Sequence, residues 1–226
     1  MPRKARRLLV VPHHPHHVIL RGNNRRCLFS YPHEYRFFLK KVRYASFQVG
    51  VPVHSLMQMR NHVHLIATPA DHRALSAFVG SFAQQYAQYR NKARGSSGKL
   101  FEERFKCVPI LSDEHMAVTT AYVELNPVRA QMCADPQDYP WSTFSIHAAT
   151  TGADPLVNRA WTPSAWYLSL ADDPADRADA FTDWFEHYRA RDDWASVQTD
   201  PKHQSDRKRF ERPNRRQASG VFAVPG

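Results

Sequence analysis

The sequence is poor in cysteine and has no long hydrophobic run. Its 226 residues include only three cysteines, Cys27, Cys107 and Cys133, and no two of them form a Cys-x-x-Cys pair. The sequence therefore supports neither a zinc ribbon nor a disulfide framework, and a reducing cytoplasm is the expected compartment. The apolar residues 8–11 are too few for a signal peptide and are followed at once by Pro12. No run approaches the length of a membrane span, so we expect no membrane partner.

Acidic residues are missing from residues 1–26, which carry only basic charge. Residues 172–200 are mostly acidic, and the remaining residues to 226 turn basic again. The whole chain has a formal net charge of +10 and an isoelectric point of about 9.8. Such a surplus favours a polyanionic partner and suits contact with a nucleic-acid backbone, although a merely basic soluble protein would share it.

Hydrophobic periodicity predicts a mixed α and β domain. Alternation predicts strands over residues 17–21, 51–59, 61–67 and 104–111, with a tight turn at residues 60–61. Spacings of three and four predict helices over residues 33–49, 72–93 and 112–126, where Asp71 and Ser112 are the expected N-caps. The order is β-α-β-β-α-β followed by a third helix. It predicts an α+β fold of the ferredoxin-like (RRM-like) type, an antiparallel sheet with helices on one face.

Composition divides the chain into four parts. Residues 1–12 form a basic leader, and residues 13–148 form the main predicted folded domain. Residues 149–198 form a helical extension, with one or two amphipathic helices within 163–191. Residues 199–226 form a basic tail that we expect to be disordered. One hypothesis is that the extension and tail fold over bound DNA as a control element.

His62 and His64 are the first candidate site residues. On a strand, residues two apart point to one face, so both imidazoles project together and could bind a metal ion. They could equally be ordinary sheet histidines in a chain that has 13 histidines. The cluster at residues 13–17 is interrupted by Pro15 and is a weaker candidate for a second metal site.

Tyr122 and Asn126 are the second candidate pair. Residues four apart share one helix face, so the Asn126 carboxamide oxygen could bind a metal ion beside the Tyr122 phenol. A core tyrosine and a capping asparagine before Pro127 would give the same pattern. Glu124 could act as a base or a ligand, or it could form a salt bridge.

Basic side chains also alternate at Arg104 and Lys106, after a glycine-serine loop. Together with Arg21, Arg25 and Arg26 they are the candidate contacts to a DNA backbone. A solvated strand face would explain Arg104 and Lys106 equally well.

Five segments in order resemble the single-tyrosine transposases of the HUH superfamily, which are IS200-like, and among them the REP-associated tyrosine transposases. They are residues 17–25 (HVILRGNNR), 59–66 (MRNHVHLI), 98–106 (GKLFEERFK), 122–130 (YVELNPVRA) and 138–142 (DYPWS). The resemblance spans residues 13–145 and implies that residues 13–148 are the catalytic domain. Arg60 departs from it, because relatives commonly have proline there.

The resemblance implies a site and an activity. Tyr122 would be the nucleophile, and His62, His64 and Asn126 would hold a divalent ion, Mg²⁺ or Mn²⁺. The enzyme would be a metal-dependent single-strand DNA endonuclease and strand transferase. It would bind DNA hairpins such as REP-like palindromes and cleave through a 5′-phosphotyrosine.

Three alternatives stay open at this point. The chain could be a catalytically silent regulator that binds hairpin DNA, or another HUH enzyme such as a replication initiator or a relaxase. Tyr86 and Tyr89 are rival nucleophiles, although their spacing predicts an apolar helix face. We expect a monomer, with a dimer as the alternative, located in the cytoplasm and associated with the nucleoid.

Overall fold

The computed structural model describes residues 8–102 and 104–190. Its four strands are β1 (His16–Arg21), β2 (Val53–Met59), β3 (His62–Ala67) and β4 (Lys106–Pro109). The three long helices of the first part are α1 (Pro32–Val49), α2 (His72–Ala93) and α3 (Asp113–Glu124). Five further helices follow: α4 (Asn126–Arg129), α5 (Phe144–His147), α6 (Pro155–Ala160), α7 (Ala165–Leu168) and α8 (Pro174–Arg189).

The strands form one antiparallel sheet in the order β2-β3-β1-β4. In β1, Ile19 pairs with His64 of β3 and with Lys106 of β4. Met59 pairs with His62 across the tight β2–β3 turn. This is the ferredoxin-like order, and it confirms the predicted fold class and the predicted hairpin.

The predicted helix ends follow from local chemistry. The Asp71 carboxylate accepts hydrogen bonds from the Arg73 and Ala74 amides at the start of α2. Five buried apolar side chains of α2 define the face of the helix that packs against the core. The Ser112 hydroxyl caps α3 by accepting from the His115 amide. Helix α1 ends at Gly50, whose φ of 70° is the left-handed conformation that glycine adopts without strain.

The two sheet faces carry different helices. Gln58 of β2 donates to the carbonyl of Tyr35 in α1, and Leu20 of β1 lies beside Val79 of α2. Helices α1 and α2 therefore pack on one face, as predicted. Helix α3 covers the other face, where Glu124 contacts the Ser55 hydroxyl. Because side chains alternate along a strand, His62 and His64 lie on this second face.

Two predicted boundaries are wrong. Strand β4 is shorter than the predicted 104–111, so Arg104 lies outside it rather than alternating along it with Lys106. The third helix ends at Glu124 and not at Asn126, because the chain bends at Leu125 before the short α4. Pro127 occupies the second position of α4, where a missing N–H costs no intrahelical hydrogen bond.

Residues 149–190 pack against the domain that precedes them. Asp154 accepts a hydrogen bond from Arg36 of α1 at 2.8 Å, and Tyr167 donates to the carbonyl of His147. Phe181 and Phe185 belong to the same hydrophobic cluster as the sheet. The predicted basic leader through residue 7 and the predicted basic tail lie outside the described residues. Within the described part of the chain, no helix is long and apolar enough to cross a membrane.

Candidate active site

Strand β3 presents His62 and His64 on the face that α3 covers. Their ring centroids lie 4.9 Å apart, and the rings meet edge to face. His64 is completely buried, whereas His62 is half-buried. The predicted imidazole pair therefore exists, with one member reachable from solvent.

Asn61 orients the His62 ring. Its Oδ1 atom lies 2.7 Å from His62 Nδ1. Because an amide oxygen only accepts, Nδ1 carries the proton and Nε2 carries the lone pair. An outer hydrogen bond of this kind is how proteins fix the tautomer of a metal-binding histidine.

His17 of β1 is a third imidazole at this place, which the sequence analysis did not include in the site. Its Nε2 atom lies 2.8 Å from His64 Nδ1, and the two rings stack with centroids 5.1 Å apart. The contact arises because His17 and Ile19 lie on the same face of β1, and Ile19 pairs directly with His64. Only the strand register reveals it.

Tyr122 of α3 lies over these rings. Its ring centroid is 5.8 Å from that of His64 and 5.9 Å from that of His17, both at steep interplanar angles. The Tyr122 side chain is largely buried, with the whole residue 7% exposed. The phenol therefore lies beside the histidine pair, in the place that the sequence analysis predicted.

The Asn126 side chain is hydrogen-bonded to the helical turn that contains Tyr122. Its Nδ2 atom donates to the Tyr122 carbonyl at 2.7 Å and to the Val123 carbonyl at 3.3 Å. These bonds occupy the nitrogen end of the carboxamide, so Oδ1 is the atom that could bind a cation. Asn126 closes the end of α3 and could also act as a ligand.

Arg129 also contacts the nucleophile candidate, and the sequence analysis missed it. Its guanidinium carbon lies 5.1 Å from the centroid of the Tyr122 ring, within the range of a cation–π contact. Arg129 lies in α4, seven residues after Tyr122, a spacing that places two residues on the same side of a helical segment. The helix predicted over residues 112–126 ends before Arg129 and therefore does not predict this contact.

Glu124 lies on a side of α3 that solvent does not reach. It is completely buried, its Oε1 atom lies 2.8 Å from Nδ1 of His147, and the Thr143 hydroxyl donates to the same oxygen at 2.8 Å. Its Oε2 atom has no hydrogen-bond partner among the described residues. These contacts support the salt bridge, and not a base or a metal ligand, among the alternatives for Glu124.

The predicted DNA contacts gather around the end of β1. Arg25, Arg26, Arg104 and Lys106 are exposed, and Arg21 is half-buried. Arg21 pairs with His62 across β1 and β3, and Arg21 and Arg104 line one cleft. The turn at residues 22–26 is held to the segment before β4 by a hydrogen bond from the Asn23 amide to the Leu100 carbonyl. Of these basic residues, Arg21 is the one that lies directly beside the half-buried His62.

The two rival tyrosines lie on α2, across the sheet from the histidine pair. Tyr86 is fully buried and donates its hydroxyl to the Leu28 carbonyl at 2.7 Å, and burial raises the pKa of its phenol far above the usual value. The Tyr89 ring stacks on Phe37 with centroids 3.9 Å apart. Both are apolar-face residues, as their spacing predicted.

The donor chemistry here fits a divalent cation. Two imidazole nitrogens and a carboxamide oxygen are neutral ligands of a kind that Mn²⁺ and similar ions accept. Within residues 8–102 and 104–190, no group of three or more histidine, cysteine, aspartate or glutamate side chains is arranged to hold a metal. The donors that could take part in such a site are the imidazoles of His62 and His64, beside Tyr122, and the amide of Asn126, which is bonded to the Tyr122 carbonyl.

Comparison with known proteins decides the family. The model of the family described as "Transposase IS200 like" matches residues 10–126, just over half of the chain. The chain belongs to the IS200-like transposase family. This membership confirms the resemblance and assigns the chain to the transposases.

The solved structure of a REP-associated tyrosine transposase agrees with the fold of this IS200-like transposase. A REP-associated tyrosine transposase bound to a REP hairpin matches with a TM-score of 0.56 and 18% identity, over 73% of this chain and 93% of that one. A putative transposase from Deinococcus radiodurans R1 matches with a TM-score of 0.38 and 20% identity, over 55% of this chain and 96% of that one. No curated protein matches the chain.

Proposed function

We propose that this transposase is a metal-dependent single-strand DNA endonuclease and strand transferase that acts beside DNA hairpins. Tyr122 is the nucleophile, and His62, His64 and Asn126 hold the divalent ion, Mn²⁺ or Mg²⁺. The observation that carries the proposal is the position of the Tyr122 ring, 5.8 Å from that of His64 in the only histidine pair of β3. A phenol beside two imidazoles on one sheet face is the arrangement that this chemistry needs.

The ion has a defined task. His62, His64 and Asn126 would hold the ion, which when bound would offset the negative charge that develops on the scissile phosphate. Because all three protein ligands are neutral, we expect Mn²⁺ to bind more tightly than hard, hydrated Mg²⁺, with the DNA phosphate supplying further oxygen ligands.

Tyr122 performs the exchange of bonds. A free phenol has a pKa of about 10, so the Tyr122 hydroxyl must give up its proton as its oxygen attacks, and the departing 3′ oxygen takes up a proton in exchange. The phenolic oxygen bonds to phosphorus, and the bond from phosphorus to the 3′ oxygen breaks. The products are a 5′-phosphotyrosine and a strand with a 3′-OH. Because the new bond is again a phosphodiester, a 3′-OH can reverse the step and join strands without ATP.

Hairpin DNA is the proposed substrate class. Support comes from the similar transposase that was solved with a REP hairpin and from Arg21, which pairs with His62 across β1 and β3. Arg21, Arg25, Arg26, Arg104 and Lys106 would hold the backbone by contacts that weaken as salt rises. The high positive charge of the chain fits the same partner.

The test is formation of a covalent adduct. Purified protein is incubated with Mn²⁺ and a labelled DNA hairpin that has single-stranded flanks, and the mixture is separated under denaturing conditions. We expect a labelled protein band that EDTA abolishes. Tyr122→Phe should remove the band but retain hairpin binding, while the matched variant Tyr89→Phe should retain both.

The competing function is a hairpin-binding regulator without turnover. The burial of Tyr122 is the one observation that favours it. Tight hairpin binding with no adduct in Mn²⁺, across hairpins with varied flanks, would support this regulator and refute the proposed enzyme.

A further inference from the structure

Glu124 is a buried carboxylate on the helix that carries the proposed nucleophile. Tyr122 lies two residues earlier, so the two side chains leave α3 about 200° apart around its axis. The Tyr122 ring lies beside that of His64, whereas the Glu124 carboxylate contacts residues of β2 and α5. The bonds of Glu124 therefore hold α3 at a different side from the one that carries the nucleophile.

A single oxygen of Glu124 takes part in all of these bonds. The Oε1 atom lies 2.8 Å from Nδ1 of His147 and accepts a hydrogen bond from the Thr143 hydroxyl, also at 2.8 Å. The Ser55 hydroxyl lies 3.5 Å from the same oxygen. All four residues are buried, with at most 1% of each exposed. Because solvent does not reach this group, removing the carboxylate would leave the donors without a partner.

Thr143 connects the Glu124 carboxylate to the sheet. Its Oγ1 atom accepts a hydrogen bond from the Leu56 amide of β2 at 3.1 Å, and its own amide donates to the Leu56 carbonyl at 3.0 Å. Strand β2 is in turn paired with β3, which carries His64. A continuous set of hydrogen bonds thus joins the strand that carries the proposed metal ligands to the helix that carries Tyr122.

The histidine that contacts Glu124 is itself held by later residues of the chain. Nε2 of His147 lies 3.3 Å from the indole nitrogen of Trp161, and the His147 carbonyl accepts a hydrogen bond from the Tyr167 hydroxyl at 2.8 Å. The Trp161 indole also donates to the carbonyl of His54 in β2, at 2.8 Å. Helix α5 is therefore fixed to the sheet and to the segments that follow it.

We propose that Glu124, together with Thr143 and His147, positions Tyr122 for attack by fixing the rotation of α3 over the sheet. The inference rests on the proposed function, because it takes Tyr122 as the nucleophile. Glu124 is a positioning residue, which acts through α3 and not by contact with DNA. Its two partners lie outside residues 10–126, the part of the chain that matches the transposase family. Residues beyond the matched part thus contribute to the reaction.

The physical reason is that a bond exchange tolerates little misplacement of the attacking atom. The Tyr122 hydroxyl lies at the end of a long side chain, so a small rotation of α3 about its axis moves the oxygen further than the backbone. A misplacement of about 1 Å can lower a rate by about a hundredfold. Hydrogen bonds are directional and apolar contacts are not, so the bonds at Glu124 restrict this rotation.

The rate of single-turnover cleavage, at a saturating concentration of a DNA hairpin in Mn²⁺, is the first test. Glu124→Leu keeps a side chain of similar size but has no acceptor. It should lower the rate by about a hundredfold and leave hairpin affinity in EDTA unchanged. Glu124→Gln keeps an oxygen that can accept from both donors, so it should cleave far faster than Glu124→Leu. Val157→Ala removes buried apolar atoms from α6 and should cleave at the wild-type rate, which controls for a general loss of stability.

Fluorine NMR tests the position of Tyr122 without cleavage. The protein is labelled with 3-fluorotyrosine and measured without DNA or metal, and Tyr122→Phe identifies the signal of residue 122. We expect Glu124→Leu to shift or split that signal, because the ring then lies differently beside His64. Glu124→Gln and Val157→Ala should keep the signal at its wild-type position, since a general loss of stability does not move the ring in the folded protein.

Several results would overturn the proposal. They are an unshifted Tyr122 signal or a wild-type cleavage rate in Glu124→Leu, and a loss of rate in Glu124→Gln or Val157→Ala as large as in Glu124→Leu. If thermal unfolding shows that Glu124→Leu is not folded, Thr143→Val takes its place, because it removes one donor and keeps the shape of the side chain. Absence of an adduct in the wild type would refute the proposed enzyme, whereas the fluorine signals would still decide whether Glu124 positions Tyr122.

Discussion

The Nε2 atom of His17 lies 2.8 Å from the Nδ1 atom of His64, across the two central strands of the sheet. For His64 to bind a metal through Nε2, its Nδ1 must carry the proton and donate to His17. Hydrogen-bond partners of this kind orient a ligand and raise its basicity. His17 thus contributes to the proposed metal site as a positioning residue.

Replacing His17 by phenylalanine should weaken metal binding by about 10- to 100-fold, the usual effect of losing such a partner. Titration of the protein with Mn²⁺, followed by calorimetry or electron paramagnetic resonance, measures the change. His17→Gln keeps a polar partner and should be affected less. His14→Phe, at an exposed histidine, should bind Mn²⁺ as the wild type does. Equal affinity in His17→Phe and the wild type would refute the role.

Arg129 should contribute to the rate of cleavage through its contact with Tyr122. We expect Arg129→Ala to lower the single-turnover rate by about a hundredfold, the typical effect of losing a donor to developing negative charge. Hairpin affinity should change little. Arg129→Lys keeps the charge but loses the planar group, so an intermediate rate is expected. Arg159→Ala, at an exposed arginine of α6, is the control, and an unchanged rate in Arg129→Ala would contradict the assignment.

The buried pair of Glu124 and His147 should stabilise the fold. Removing Glu124 leaves the buried His147 Nδ1 atom and the Thr143 hydroxyl without the acceptor that they share, and a buried donor left unsatisfied typically costs about 1–3 kcal/mol. We expect a loss of this size in the free energy of unfolding of Glu124→Ala, measured in urea. Glu186→Ala breaks an exposed pair with Arg189 and should cost at most about 1 kcal/mol. Equal losses in the free energy of unfolding of the two variants would show that the buried pair stabilises the fold no more than the exposed pair does.

Stability should fall in mild acid because of His54. Burial lowers the pKa of His54 below the usual 6.5, and the ring contacts the Thr162 carbonyl and the Thr68 hydroxyl. The unfolded chain therefore binds a proton at His54 at higher pH than the folded chain does. The stabilising effect of neutral His54 is complete above pH 6.5, and it decreases as pH falls from 6.5 to the lowered pKa.

Denaturant titrations at several pH values test this prediction. Between pH 6.5 and the lowered pKa of His54, the wild type should lose up to about 1.4 kcal/mol per pH unit from this group alone. His54→Gln cannot titrate, so its pH dependence should be shallower by that amount. Burial also lowers the pKa of His16, so some acid sensitivity should remain in the variant. Identical pH dependence in both proteins would contradict the account.

Most of the fold could be predicted because its patterns are local. Alternation along β3 and the three- and four-residue spacing of α2 are properties of one segment, and so are the Asp71 and Ser112 caps. The length of β4 is not local. Its only partner is β1, and pairing stops near Pro15, which has no N–H to donate. At the other end, the Glu102 amide already donates to the Arg21 carbonyl, so the chain between Glu102 and Lys106 leaves the ladder.

The candidate site was predictable to the same extent. Residue spacing placed His62 beside His64, and Tyr122 beside Asn126. The position of His17 depends on the β1–β3 register, and that of Arg129 depends on α4, which lies beyond the predicted third helix. No single segment contains that information, so both residues were visible only after the strands and helices were assembled.

The central claim is that Tyr122 becomes bonded to DNA. The most direct measurement is to form the adduct with Mn²⁺ and a hairpin oligonucleotide, digest it with a protease and a nuclease, and locate the nucleotide-bearing peptide by mass spectrometry. The account predicts a single modified peptide, with the phosphate on Tyr122. A phosphate on Tyr86, on Tyr89 or on any other residue would contradict it.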